Sequence, residues 1–187
     1  IGDEAHMFKA KSLTSIMTKL HQCKYRFGFT GTLDGTETHR LVLEGLFGSV
    51  EQVVTTKELI DKKTLANLKI KCITLKHPEK RERMTYAEEL DYIVSHEKRN
   101  TFLCDLLHHL NGNTLCLFQL VEKHGKVLYE RMKGKENVYF VYGATSAEQR
   151  EEIRTIVDKS KNSTTIASYG TFSTGINIKN LHNIIFA

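Results

Sequence analysis

From Thr114 onward, short apolar runs alternate with stretches of helical periodicity, and this alternation limits the possible folds more than any other feature. Thr114-Leu115-Cys116-Leu117-Phe118 precedes a helical pattern from about Glu122 to Met132. Val138–Val141 precedes another from about Ser146 to Lys159, and strand-like Thr165–Ser168 is followed by Asn183–Ala187. Strands separated by whole helices are too far apart in sequence to pair as hairpins. They lie parallel, with the helices crossing over the faces of the sheet in the favoured right-handed sense. The chain is therefore expected to be α/β with a parallel sheet.

The first half continues the pattern in a more broken form. Ile1-Gly2-Asp3-Glu4 reads as the last step of a buried strand. Leu13, Ile16, Met17 and Leu20 fall at helical spacing, and Tyr25 to Thr30 alternates towards a further short strand. Gly31 and the Asp34-Gly35 pair break that strand into a loop, after which Thr36–Leu46 reads as a helix. Residues 51–66 form a connecting region with a short helix, and Leu68–Leu75 alternates like a half-buried strand. The mixed-charge run Lys76–Arg83, which includes Pro78, reads as a solvated loop. Tyr86–Leu110 carries long helical periodicity, divided near His96 to Asn100 and stopped by Asn111-Gly112-Asn113.

Composition narrows the function classes. Apolar residues make up 40% and charged residues 26% of the 187, the balance of a chain that folds. The net charge of +5 favours polyanionic partners without the density of a histone-like tail. Cys23, Cys72, Cys104 and Cys116 are scattered with no C-x-x-C pair, which suggests reduced thiols rather than a zinc cluster or disulfide framework. His108-His109 sits among leucines with no carboxylate or cysteine at ligand spacing, and Tyr139, Phe140 and Tyr142 read as core. No apolar run approaches a membrane span, so a cytoplasmic protein is expected.

Three segments carry chemistry. Asp3-Glu4-Ala5-His6 places two carboxylates at a strand end. One can hold a divalent cation through water while its neighbour orients and deprotonates an attacking water, and His6 can hydrogen-bond a neighbouring loop. A solvated turn would read the same way. Gly28-Phe29-Thr30-Gly31-Thr32-Leu33 is a strand entering a small hydroxyl-bearing loop, expected beside the carboxylate strand, so that Thr30 and Thr32 come within reach of His6. Thr165 to Ile178 runs from a strand into a loop rich in glycine and hydroxyls, suited to gripping phosphate oxygens.

In this order the three segments resemble motifs II, III and V of the superfamily 2 helicases. Asp3-Glu4-Ala5-His6 matches a DEAH-type motif II, and Thr30-Gly31-Thr32 is similar to the T-A-T or T-G-T loop. Leu115 to Phe118 with Gln119 resembles motif IV, and Tyr142-Gly143-Ala144-Thr145 with Arg150 resembles the segment that follows it. Ser168 to Asn177 resembles motif V. The resemblance implies two RecA-like lobes: residues 1–55 as the C-terminal part of the first, and 56–187 as a connecting segment with a second lobe lacking only its last motif. It implies ATP and Mg²⁺ as cofactors and DNA, branched or forked, as partner of a monomeric enzyme. Asp3 would serve Mg²⁺ through water, Glu4 the attacking water, and His6 with Thr30 and Thr32 the coupling. Gly175 and Asn177 would face the nucleotide, and Ser168 and Thr171 the nucleic-acid backbone.

Two departures temper the implied activity. The 187 residues contain no G-x-x-x-x-G-K-[ST] loop and no Q-x-x-G-R-x-x-R segment. The chain alone is therefore expected to hydrolyse no ATP. A helicase-like module that binds nucleic acid without turnover is the alternative.

Overall fold

The computed structural model describes residues 1–8, 11–33, 37–76, 83–172 and 178–187. The chain folds as two compact units, Ile1–Cys72 and Ile73–Ala187. Residues 56–72 lie within the first of these units.

The second unit is built on a wholly parallel four-stranded sheet of order β2-β3-β1-β4, with β1 (Thr114–Phe118), β2 (Val138–Val141), β3 (Thr164–Ser168) and β4 (Asn183–Phe186). The expected α/β class is present. β1 and β3 lie between two neighbours each and are buried along their whole length, which is why β1 is a continuous apolar run instead of an alternating one.

Alternate residues supply the two faces. Cys116, Phe118 and Ile166 point to one side, where Leu103, Cys104 and Leu107 of α5 (Glu97–His109) and Leu128 and Met132 of α6 (Lys126–Met132) close over them. Leu115, Leu117, Val141 and Ala167 point to the other. There they meet Phe172 of the short α8 (Tyr169–Phe172) and Ile153 of α7 (Ala147–Lys159). Phe140 stacks against both Phe118 and Tyr129, as expected of strand aromatics in a core.

The helices start where sequence chemistry dictates. Thr85 and Ser146 form capping boxes with Glu88 and Gln149, opening α4 (Tyr86–Ser95) and α7. His96 separates α4 from α5, accepting a hydrogen bond from Arg99 N through its ring. The single helix expected from Glu122 divides in two: Val121–Gly125 is a π-helical turn, and α6 follows it.

The first unit holds α1 (Lys11–Lys19), α2 (Glu37–Phe47) and α3 (Thr56–Asp61), the last opened by a Thr55–Glu58 capping box. Its two strand-like segments meet as one parallel bridge, Gly2 to Gly28. Ala5, Met17, Leu43 and Leu46 are its buried apolar residues, and Phe8 packs edge-on against Phe47. A Cβ on Gly2 would lie 2.9 Å from the Phe47 ring, and one on Gly28 would lie 3.0 Å from it, so the bare backbone lets Phe47 press onto the bridge.

The strand expected over Leu68–Leu75 does not form. Leu68 is 73% and Ile70 77% exposed, and no strand among the described residues pairs with the segment. Alternation alone is insufficient, because ladder groups need a partner strand to offset their desolvation and ordering. Lys76–Arg83 was expected as a solvated loop; residues 77–82 lie outside the described residues.

Candidate functional site

The bridge between Gly2 and Gly28 brings the carboxylate segment and the hydroxyl loop together. Gly2 N donates to Phe27 O at 2.7 Å, Phe29 N to Gly2 O at 2.8 Å, and Ala5 N to Phe29 O at 2.8 Å. Past that point both segments leave the pairing together. Glu4 turns in the left-handed region, φ 49° and ψ 49°, and a 3-10 turn over Ala5–Met7 carries His6 back towards the loop. A non-glycine residue in that region costs about 1–2 kcal/mol, a strain typical of functional turns.

His6 Nδ1 lies 2.8 Å from Thr30 Oγ1 and 3.3 Å from Glu4 Oε2. Thr30 Oγ1 also lies 3.1 Å from Thr32 O and accepts from Thr32 N at 3.2 Å. Which of His6 and Thr30 supplies the hydrogen between them depends on the imidazole tautomer, and Nδ1 also faces the Glu4 carboxylate. Thr32 takes part through its backbone. Asp3 Oδ1 accepts from Glu4 N at 2.9 Å, and both carboxylates are exposed. Exposed oxygen donors of this kind suit Mg²⁺, which binds through a few carboxylates and retained waters.

In the second unit Ser168 and Thr171 lie at the C-terminal end of β3. Because the sheet is parallel, Phe118, Val141 and Ser168 mark the C-terminal ends of neighbouring strands, the edge at which open α/β sheets bind ligands. Ser168 Oγ and Thr171 Oγ1 are 2.8 Å apart, and Thr171 Oγ1 also donates to Ser168 O. These hydroxyls organise the entry to α8, a short helix where a loop was expected. After β2, Thr145 closes a turn with Tyr142, and Arg150 Nε donates to Thr145 O at 2.9 Å. Gln119 is exposed beyond β1. Gly175 and Asn177 lie outside the described residues.

Two polar arrangements went unrecognised in the sequence. The π-helical turn buries His124 completely, with Arg99 Nη1 3.1 Å from its Nε2. Burial first, and the nearby guanidinium second, pull the His124 pKa down to about 4. Asn113, expected only to end a helix, is fully buried and bonded on every side. Periodicity reports only that a position is helical or a stop, so neither had a signal beyond an ordinary polar residue. No group of three or more metal-binding side chains occurs among the described residues. No helix among them is long and apolar enough to cross a membrane.

No protein-family model matches the chain. It is 34% identical over 195 residues to the ATP-dependent DNA helicase uvsW of Enterobacteria phage T4, a match covering 100% of this chain and 39% of that protein. The crystal structure of T4 UvsW matches with a TM-score of 0.51 at 29% identity, over 98% of this chain and 37% of that one. The chain is thus homologous to a part of UvsW, spanning about two fifths of its length. Its parallel-sheet unit has the architecture of a RecA-like lobe.

Proposed function

We propose that this chain is the central part of an ATP-dependent DNA helicase or translocase that unwinds or remodels branched DNA in recombination, repair or replication. Residues 1–55 supply the end of the first RecA-like lobe; 56–187 supply the connecting segment and most of the second. The observation that carries the reading is the His6–Thr30 hydrogen bond, which joins the carboxylate turn to the hydroxyl loop across 24 residues of sequence.

In this reading Glu4 orients and deprotonates the water that attacks the terminal phosphate, and Asp3 holds Mg²⁺ through water. Bound Mg²⁺ supplies positive charge against that developing on the phosphate oxygens. His6 Nδ1 lies between Glu4 and Thr30, so a shift of the Thr30–Thr32 loop alters the bearing of the Glu4 carboxylate. Gly175 and Asn177 face the nucleotide; Ser168 and Thr171 approach the DNA backbone from the C-terminal edge of the sheet. The 187 residues alone hydrolyse no ATP, because they hold neither a phosphate-cradling lysine loop nor a Q-x-x-G-R-x-x-R arginine.

The test is ATP hydrolysis by the complete protein on forked DNA, compared with Glu4→Gln. The substitution keeps the side-chain shape and removes the base. We expect kcat to fall at least 100-fold, the lower range for loss of a positioned general base. An unchanged rate would remove Glu4 from the chemistry. Forked-DNA binding with no ATP hydrolysis by the complete protein would favour the non-catalytic alternative.

A further inference from the structure

We propose that the outward face of α1 is a second, sequence-independent contact for the nucleic-acid phosphate backbone, separate from Ser168 and Thr171. The inference rests on nucleic acid being the partner, as proposed above, and assigns it a surface outside the helicase motifs.

Residues 5–33 contain Lys9, Lys11, Lys19, Lys24 and Arg26 and not one Asp or Glu. That leaves 22 of the 27 Lys and Arg to balance the 22 Asp and Glu elsewhere, so the whole net charge of +5 resides in this segment. Clustering of that kind, more than net charge, is the electrostatic footprint of a polyanion site.

Structure places part of that charge on one helix face. Lys11, Thr14, Ser15, Thr18, Lys19 and His21 line an open groove of about 800 Å³. Positions 11, 15, 18 and 19 fall on one side of a helix with 3.6 residues per turn, while Met17, on the other side, is buried in the unit. Thr18 gives its hydroxyl hydrogen to Thr14 O, and Thr14 gives its own to Phe8 O. Among the described residues Ser15 makes no such bond, and no ion pair engages Lys11 or Lys19.

The contrast with other cations is informative. Arg40 pairs with Glu44, Lys123 with Asp91, Lys126 with Glu122, Arg131 with Glu97, and Lys133 with Glu130. Lys11 and Lys19 lie about 12 Å apart along the helix axis, at 1.5 Å per residue. One strand of a duplex presents three or four phosphates over that length. Flexible ammonium groups and a hydroxyl donor match a backbone contact, and the face carries no rigid fork for reading bases. α1 also follows directly on the turn that holds Glu4 and His6.

The test measures binding of a fluorescent random-sequence duplex to the 187-residue chain between 50 and 200 mM salt. Each neutralised phosphate contributes about 0.9 to the slope of log affinity against log salt. Lys11→Gln/Lys19→Gln should lower that slope by about 2, Lys19→Gln alone by about 1, and Lys11→Arg/Lys19→Arg should retain it. Lys57→Gln/Lys62→Gln, the same charge change elsewhere in the first unit, should leave it unaltered. Thermal unfolding of each variant at the parent's temperature ties the effect to the surface.

An unchanged slope in Lys11→Gln/Lys19→Gln, equal losses in Lys11→Gln/Lys19→Gln and Lys57→Gln/Lys62→Gln, or no duplex binding by the parent chain would overturn the inference. So would displacement of the duplex by ATP, which would place a nucleotide on the face. In the first two cases DNA-stimulated hydrolysis by the complete protein would still stand, so failure of this inference is distinguishable from failure of the helicase reading.

Discussion

Asn113 has two amide hydrogens and one carbonyl to place, and all of them are spent inside the fold. Its Nδ2 lies 2.9 Å from Val157 O, 2.9 Å from Ser160 O and 2.7 Å from Asn180 O, and its Oδ1 accepts from Ser163 Oγ at 2.8 Å. One side chain thereby joins the end of α7, the entry to β3 and the entry to β4. We expect Asn113→Ala to cost about 3 kcal/mol in denaturant unfolding, since several buried groups lose their partner at once; a loss under 1 kcal/mol would mean that water replaces it. The sequence marked this residue as a helix stop and nothing more, because the partners lie 44 to 67 residues away. The His6–Thr30 pairing, 24 residues apart, was legible because strand ends of a parallel sheet bring their loops to the same side. That expectation needed only the two strands, whereas Asn113 needed the complete fold.

At the level of elements, boundaries were readable wherever local chemistry sets them. Thr85 with Glu88 and Ser146 with Gln149 begin helices through bonds made within three residues. Leu68–Leu75 was misread because its alternation describes a preference that only a neighbouring strand can fulfil. The π-helical turn at Val121–Gly125 was also missed, and its cause is close packing. A Cβ on Gly125 would lie 2.4 Å from Phe118 Cζ, deep inside contact distance, and Phe118 is itself stacked on Phe140. Gly125→Ala should destabilise by about 1–3 kcal/mol, the usual cost of overpacking. Adding Phe118→Leu should recover part of it, as a double-mutant cycle in denaturant would record.

The molecule as a whole carries a built-in response to acid. His124 has its pKa held near 4 in the folded chain against 6.5 when free. A group whose folded value is lowered stays neutral in the fold while the unfolded chain takes up a proton. Stability is therefore complete above about pH 6.5 and declines as pH falls towards 4, by on the order of 3 kcal/mol. The second unit should show this slope in unfolding experiments between pH 4 and 6.5, and His124→Gln should flatten it; an unaltered slope would assign the acid response to other groups. Composition gives the net positive charge, but a buried imidazole leaves no mark on it.

The hydrogen bond from His6 to Thr30 has a mechanical consequence. It fastens two points 24 residues apart, and the stretch between them contains α1. Chain and hydrogen bond together make a closed ring, with the carboxylate turn at its clasp and the cationic helix on its circumference. That ring is clasped at the carboxylate turn by a side-chain contact, so loss of the Thr30 hydroxyl would leave only the backbone pairing of Gly2 and Ala5 with Phe27 and Phe29 to close it.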